Sequence, residues 1–132
     1  MKTLLIVCVA LLGVSCTGRT ISTASGLTYR ILEKGKGPKA QAGDAVFIHE
    51  TTTYRDGTVL YTNYESSSAV RVLIGGNQAT AAVDEGLRGM RVGEVRELTA
   101  PPFLVKRTSY PPNVSPDSTL VIKMRLAKIE RM

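Results

Sequence analysis

At 132 residues, 43% of them hydrophobic, the chain can close one domain around one core and no more. Its formal charge of +6 comes with a single histidine and two cysteines, so neither a histidine-based metal cluster nor a catalytic triad can be built. No metal and no cofactor are therefore expected.

The chain opens with Lys2, the apolar run Leu4 to Val14, and Ser15-Cys16. A charged start, a short apolar stretch and a small residue before a cleavage point read as a secretory signal peptide over residues 1–16. The run is too short for a membrane-spanning helix, which needs about 20 apolar residues. Gly13-Val14-Ser15-Cys16 resembles a bacterial lipoprotein box, with Gly13 where Leu is usual. Lipidation of Cys16 is expected, the alternative being an ordinary signal peptide. Acyl chains there would hold the protein at a membrane, each buried methylene contributing about 0.8 kcal/mol. Cys8 leaves with the signal, so the processed chain has no internal disulfide. The expected location is outside the cytoplasm, as a membrane-anchored lipoprotein or in the periplasm or cell envelope of a bacterium.

Residues 17–25 are rich in Thr, Ser and Gly without apolar periodicity and read as a flexible tether, with the domain spanning 26–132. Strand signals follow at Leu27–Leu32, Ala45–His49, Thr51–Tyr54 and Val59–Tyr61, with turns at Gly35-Lys36-Gly37-Pro38, Gly43-Asp44 and Asp56-Gly57. Lys34, Lys36 and Lys39 near one turn, and Lys123, Arg125 and Lys128 in the last strand, read as a solvated sheet face. A nucleic-acid partner is not expected; attraction to an anionic membrane surface stays open. Tyr54, Tyr61 and Tyr64, interleaved with Thr and Asn, fit an edge strand, with a peptide- or glycan-binding surface as the alternative.

Val70–Ile74 ends at Gly75-Gly76 and leads through a loop, with Asn77 as a candidate cap, into a short helix around Val83 to Leu87. Asp84 and Glu85 suit the positive start of that helix. Gly86 and Gly89 are placed to end it in left-handed conformations, and Gly93 to turn into the strand Glu94–Thr99. Pro101-Pro102 stops that strand and opens a loop running past Pro111-Pro112 and Pro116. The last strand is the clearest, with Leu120, Ile122, Met124 and Leu126 on its buried face. The fold class is α+β: a curled, mostly antiparallel sheet wrapped over one short helix.

Gly26-Leu27-Thr28-Tyr29-Arg30-Ile31-Leu32, Gly43-Asp44, Val46 with His49, Asp56-Gly57, Ile74-Gly75, Glu85-Gly86-Leu87 with Gly89-Met90, Val92-Gly93-Glu94, and Ser115 to Val121 together resemble the FKBP-type peptidyl-prolyl cis-trans isomerases, the macrolide-binding immunophilins. The resemblance implies an FKBP-like fold and a proline-containing polypeptide as substrate. It also implies a pocket around Leu60, Tyr61, Ala79, Val83, Val114 and Ile122, with the backbone N–H of Thr80 as the catalytic hydrogen-bond donor. The family's aromatic positions differ here: Glu50 stands for a Tyr, Leu60-Tyr61 for Phe-Asp, Ala79-Thr80 for Val-Ile, Val83 for the Trp that floors the pocket, and Ile122 for a Phe. A loop Tyr falls near Lys106, with Phe103 and Tyr110 as neighbouring aromatics. These replacements predict weak isomerase activity; the alternative is a non-catalytic peptide- or protein-binding module on the same scaffold, anchored to a membrane. Core packing is the other reading of Val83 and Ile122.

Overall fold

The computed structural model describes residues 18–66 and 68–131; the signal segment and Cys16 lie outside the described residues. Its strands are β1 (Ile21–Ser22), β2 (Thr28–Glu33), β3 (Ala45–Tyr54), β4 (Val59–Thr62), β5 (Val70–Leu73), β6 (Val95–Ala100) and β7 (Leu120–Glu130). A single α-helix among the described residues, α1 (Ala81–Leu87), lies between β5 and β6, and a 3₁₀ turn, Pro102–Leu104, follows β6. All the strand pairings are antiparallel, in the order β1-β2-β6-β7-β3-β4, and β5 also pairs with β3. The architecture is the expected curled antiparallel sheet over one short helix.

Two expected strands, Ala45–His49 and Thr51–Tyr54, are one continuous β3, because Glu50 does not break the inward row of Val46, Ile48, Glu50, Thr52 and Tyr54. Register shifts between Ile31 and Glu33, Phe47 and Ile48, and Thr52 and Thr53 add local bend and twist to the sheet. The curled inner face packs on the helix, with Val46, Ile48, Leu98, Ile122, Met124 and Leu126 meeting Ala82, Val83 and Leu87 in the core. The expected buried row of β7 is the observed one.

The folded part reaches further back than Gly26. Ile21 and Ser22 pair with Tyr29 and Thr28, and Ser25 Oγ donates to Glu85 Oε1 at 2.6 Å. Thr and Ser in this stretch therefore supply hydrogen bonds to the edge of β2 and to the helix, where composition alone suggested a tether.

Gly86 is not a helix terminator. It sits inside α1, and a Cβ there would stand 2.5 Å from Leu98 Cδ1, so its role is close approach of helix to sheet. Gly89, with φ +86°, makes the left-handed exit two residues after the helix.

Two buried acids tie the ends of the fold. Asp44 accepts from Arg131 Nε at 3.0 Å and Nη2 at 2.9 Å and from the Gln41 N–H at 2.9 Å, joining the chain's last described residue to the start of β3. The Arg131 guanidinium holds the Asp44 carboxyl below the usual carboxylate range. Glu94 pairs with Arg96 at 2.6 Å, with side chains 4% and 5% exposed. Arg96 also donates to the carbonyls of Gly86 and Arg88, each at 3.2 Å, and its guanidinium lies 4.4 Å from the Tyr29 ring centroid.

Removing one member of a buried, bonded pair leaves the other charge uncompensated, at a typical cost of about 3–5 kcal/mol. Arg96→Ala should lower unfolding stability by that order in urea denaturation, and the double variant Glu94→Gln, Arg96→Met should recover part of the loss. Additive losses would show that the two side chains are not coupled.

Candidate functional site

Strands β4 and β5 share one edge of β3, one after the other. Ile48 pairs with Val70 of β5, Thr51 pairs with Thr62 of β4, and the intervening His49-Glu50 segment pairs with neither. Asn63 fills the gap: its Oδ1 accepts from the Glu50 N–H at 2.6 Å, its own N–H donates to the Glu50 carbonyl at 3.0 Å, and its Nδ2 donates to the Ile48 carbonyl at 3.2 Å. His49 Nδ1 lies 3.2 Å from the Asn63 carbonyl.

Where the strands part, the inner surface opens into a cleft of about 270 Å³. Ile48 and Glu50 of β3, Tyr61 and Asn63 at the end of β4, and Val70 and Val72 of β5 line one side; Gln78, Ala79, Thr80 and Val83 line the other, with Arg107 from the long loop. The volume stands just below the usual range for small-ligand sites, about 300–1,000 Å³.

The loop before α1 is fixed by its own bonds. Gln78 Oε1 accepts from the Leu73 N–H at 2.9 Å, and Asp84 Oδ2 accepts from the Gly75 N–H at 2.7 Å while Oδ1 holds Arg88. Asn77 takes φ 59° in the turn, and the helix N-cap is Thr80, without a side-chain cap bond. Asn77 thus shapes the turn, a position its tolerance of left-handed backbone suits, rather than capping. The Thr80 hydroxyl is buried without a partner, and its backbone N–H has no acceptor among the described residues.

Tyr61, Ala79, Thr80 and Val83, all named from sequence, come together at this cleft. Leu60, Val114 and Ile122 do not line it. Ile122 is 2% exposed in the main core, Leu60 packs against that core from the side, and Val114 stays half-buried in the long loop. Phe103 is 60% exposed and lies against Gly26, and Lys106 is exposed. The Tyr110 hydroxyl accepts from the Arg107 N–H at 3.3 Å.

The tyrosines of the hairpin divide by role. Tyr54 OH donates to the Asn113 carbonyl at 2.8 Å and accepts from the Ser115 N–H at 2.9 Å, pinning the long loop to β3. Tyr64 turns to the outer face, where Lys123 Nζ lies 5.1 Å from its ring centroid. Only Tyr61 of the three lines the cleft.

Sequence reading noted Glu50 as a replacement without giving it a part in the site. Its inward position follows from the two-residue alternation along β3. Thr52 Oγ1 donates to Glu50 Oε2 at 2.7 Å, and the other carboxylate oxygen has no partner among the described residues. Burial pushes the Glu50 carboxyl up, against the lowering pull of the Thr52 hydroxyl and the Arg107 charge. Among the described residues, no group of three or more potential metal ligands forms.

A family model for the FKBP-type peptidyl-prolyl cis-trans isomerases matches residues 37–127. The chain belongs to this family. It is 34% identical over 106 residues to FK506-binding protein 2 of Yarrowia lipolytica, a match covering 80% of this chain and 74% of that one. It is 27% identical over 108 residues to the 46 kDa FK506-binding nuclear protein of Spodoptera frugiperda, covering 81% of this chain but only 26% of that longer protein. Among solved structures, FkpA of Escherichia coli superposes with a TM-score of 0.75 at 26% identity, over 85% of this chain and 52% of FkpA. AtFKBP13, with a TM-score of 0.74 at 21% identity over 83% of this chain and 98% of that one, shares the fold. The FKBP scaffold is therefore intact, and the cleft it carries here is lined by Val70, Val72, Ala79 and Val83 beside the Glu50 carboxyl.

A group whose pKa is raised by folding stabilises the fold fully below its unfolded value, about 4.3 for glutamate, and that contribution is lost as pH rises through the raised folded value. Glu50→Gln keeps an acceptor for Thr52 and removes the ionisation. The variant should be more stable than the parent at pH 8 and lose the advantage near pH 4, as read by denaturant midpoints; an equal offset at both pH values would contradict the assignment.

Proposed function

We propose that this FKBP domain catalyses cis-trans isomerisation of X-Pro bonds in folding proteins outside the cytoplasm, with low efficiency. The observation that carries the reading is the Thr80 backbone N–H, without an acceptor among the described residues, at the edge of a cleft bordered by Val83 and Ala79. Rotation about the prolyl bond faces a barrier of roughly 18–20 kcal/mol, because amide resonance must be broken. No covalent step or proton transfer is required. An apolar wall favours the twisted, less delocalised amide over the planar one, and a fixed N–H orients a flanking carbonyl as the bond turns. Val70, Val72, Ala79 and Val83 supply such a wall, but they offer less contact than aromatic rings. Large-to-small replacements of this kind typically cost about 3–5 kcal/mol where a site does not collapse.

A second reading, a non-catalytic peptide-binding module, is favoured by the same wall. The valines and the polar Glu50, Asn63, Gln78 and Arg107 can hold a polypeptide without bringing its prolyl amide into a dry, aromatic environment.

The two separate in an isomerisation assay on the mature domain with a Leu-Pro peptide, in preparations freed of contaminating isomerases. The parent should accelerate the exchange weakly, Val83→Trp should raise kcat/KM by about tenfold, equivalent to roughly 1.4 kcal/mol of transition-state contact, and Val83→Arg should abolish it. A parent rate equal to the uncatalysed one would remove the enzyme reading and leave the binding module.

The N-terminal sequence supports an exported chain anchored through lipid on Cys16, which would keep the domain near proteins emerging at a membrane. Radiolabelled palmitate should enter the full chain and be absent from Cys16→Ala. Equal incorporation in both would exclude that residue as the anchor.

A further inference from the structure

The cleft holds one acidic group that X-Pro isomerisation does not use. Glu50 occupies the inward row of β3 between Ile48 and Thr52, at the gap between β4 and β5. Its position is fixed from three sides: the Asn63 side chain accepts its N–H, the Asn63 N–H bonds its carbonyl, and Thr52 Oγ1 donates to Oε2 at 2.7 Å. An ionised carboxylate accepts about four hydrogen bonds, and this one is left with an unpartnered oxygen in the wall of the cleft.

We propose, building on the reading of this cleft as the X-Pro site, that Glu50 selects substrates with a lysine or arginine next to the proline. The cationic side chain would set its ammonium or guanidinium on the free oxygen of Glu50 while Thr80 and Val83 hold the prolyl bond. The chemistry favours a cation over other partners for two reasons. Partial burial withholds water from the carboxylate, so a charged donor restores more than a neutral one does. A neutral aliphatic residue at the same place would strip what water Glu50 retains and return nothing, and an acidic one would add like charge.

Arg107 is the competing group. It lines the same cleft from the long loop and is exposed, and no ion pair within 4.0 Å joins it to Glu50 among the described residues. A solvated guanidinium outside ion-pair distance is readily displaced by a substrate cation, yet its charge weakens the preference. Glu50 and Arg107 thus act in opposite senses, and the two variants at these positions should move selectivity in opposite directions.

The test is a set of short peptides of one length carrying Lys-Pro, Pro-Lys, Leu-Pro or Glu-Pro, titrated into the isotope-labelled domain at pH 7.5. The amide signals of Thr80 and Val83 report binding, and exchange spectroscopy on each peptide reports isomerisation. At least one of the two lysine peptides should bind about tenfold more tightly than Leu-Pro, the order expected for one charge-assisted hydrogen bond, with Glu-Pro weakest. Glu50→Gln should abolish that ratio, and Arg107→Ala should enlarge it. Equal affinities for lysine and leucine peptides, with Leu-Pro bound and turned over, would overturn the selectivity and leave the X-Pro reading standing. A lysine preference that survives Glu50→Gln would likewise overturn it, and no response of Thr80 and Val83 to any peptide would overturn both.

Discussion

The ion pair between Glu94 and Arg96 decides where the helix sits, and the site depends on where the helix sits. Both side chains are almost wholly buried, and every group of the guanidinium has work: Nε and Nη2 meet Glu94, Nη1 meets the carbonyls of Gly86 and Arg88, and its face covers Tyr29. The seven-residue helix has no basic residue in its own last turn. Arg96 supplies that positive charge from the neighbouring strand, satisfying carbonyls at and beyond the helix end that would otherwise be left open. Such a pair contributes little net stability against an apolar replacement of the same shape. Its effect is positional, because a guanidinium bonded in this pattern tolerates one placement of the helix over β6. Gly86 reinforces the placement by leaving no Cβ between the helix and Leu98.

From that anchor the geometry of the cleft follows. With the end of α1 held on β6, its first turn and the preceding loop face the edge of β3, and Asp84 braces that loop through the Gly75 N–H. The register of β3 shifts against β7 between Phe47 and Ile48 and against β4 between Thr52 and Thr53. Strands β5 and β4 cover the other edge of β3 in turn, and the His49–Glu50 segment, paired with β7 but with neither of them, is the place where the wall opens. Asn63 is the means of opening it without leaving backbone groups unsatisfied. The site is thus the gap between two edge strands, with one asparagine standing in for a strand.

The sequence made the scaffold readable because its strongest signals are local. The alternation along β7, the Asp56-Gly57 turn and the glycines about Met90 each demand one backbone arrangement, and their order identifies the FKBP fold. What stayed hidden depends on contacts between distant residues. Glu94 and Arg96 alternate with Val95 and Glu97, a pattern that two-residue periodicity reads equally well as a solvated face. Gly86 looks like a helix terminator until Leu98 is placed against it. Ile21 and Ser22 look like linker because a two-residue strand carries no periodicity to detect. The cleft was half legible: the family resemblance, not any local pattern, pointed to Tyr61, Ala79, Thr80 and Val83, whereas Leu60 and Ile122 differ from wall positions only by which way the curled sheet turns them.

On the proposed reading, a cleft lined by valines and a carboxyl differs in kind from an aromatic one, and not only in strength. An aromatic pocket acts by excluding water, and its effect on a prolyl amide comes from low polarity and broad contact. A partly buried carboxyl works against low polarity, since its charged form draws in water or a proton. The same burial that makes ionised Glu50 costly when alone makes it a strong partner once a donor arrives. Catalytic generality and substrate discrimination therefore trade against each other at this position. On that reading, a cleft lined by Val83 and Glu50 gives up contact that any proline could use and keeps an interaction that only some residues beside a proline can make.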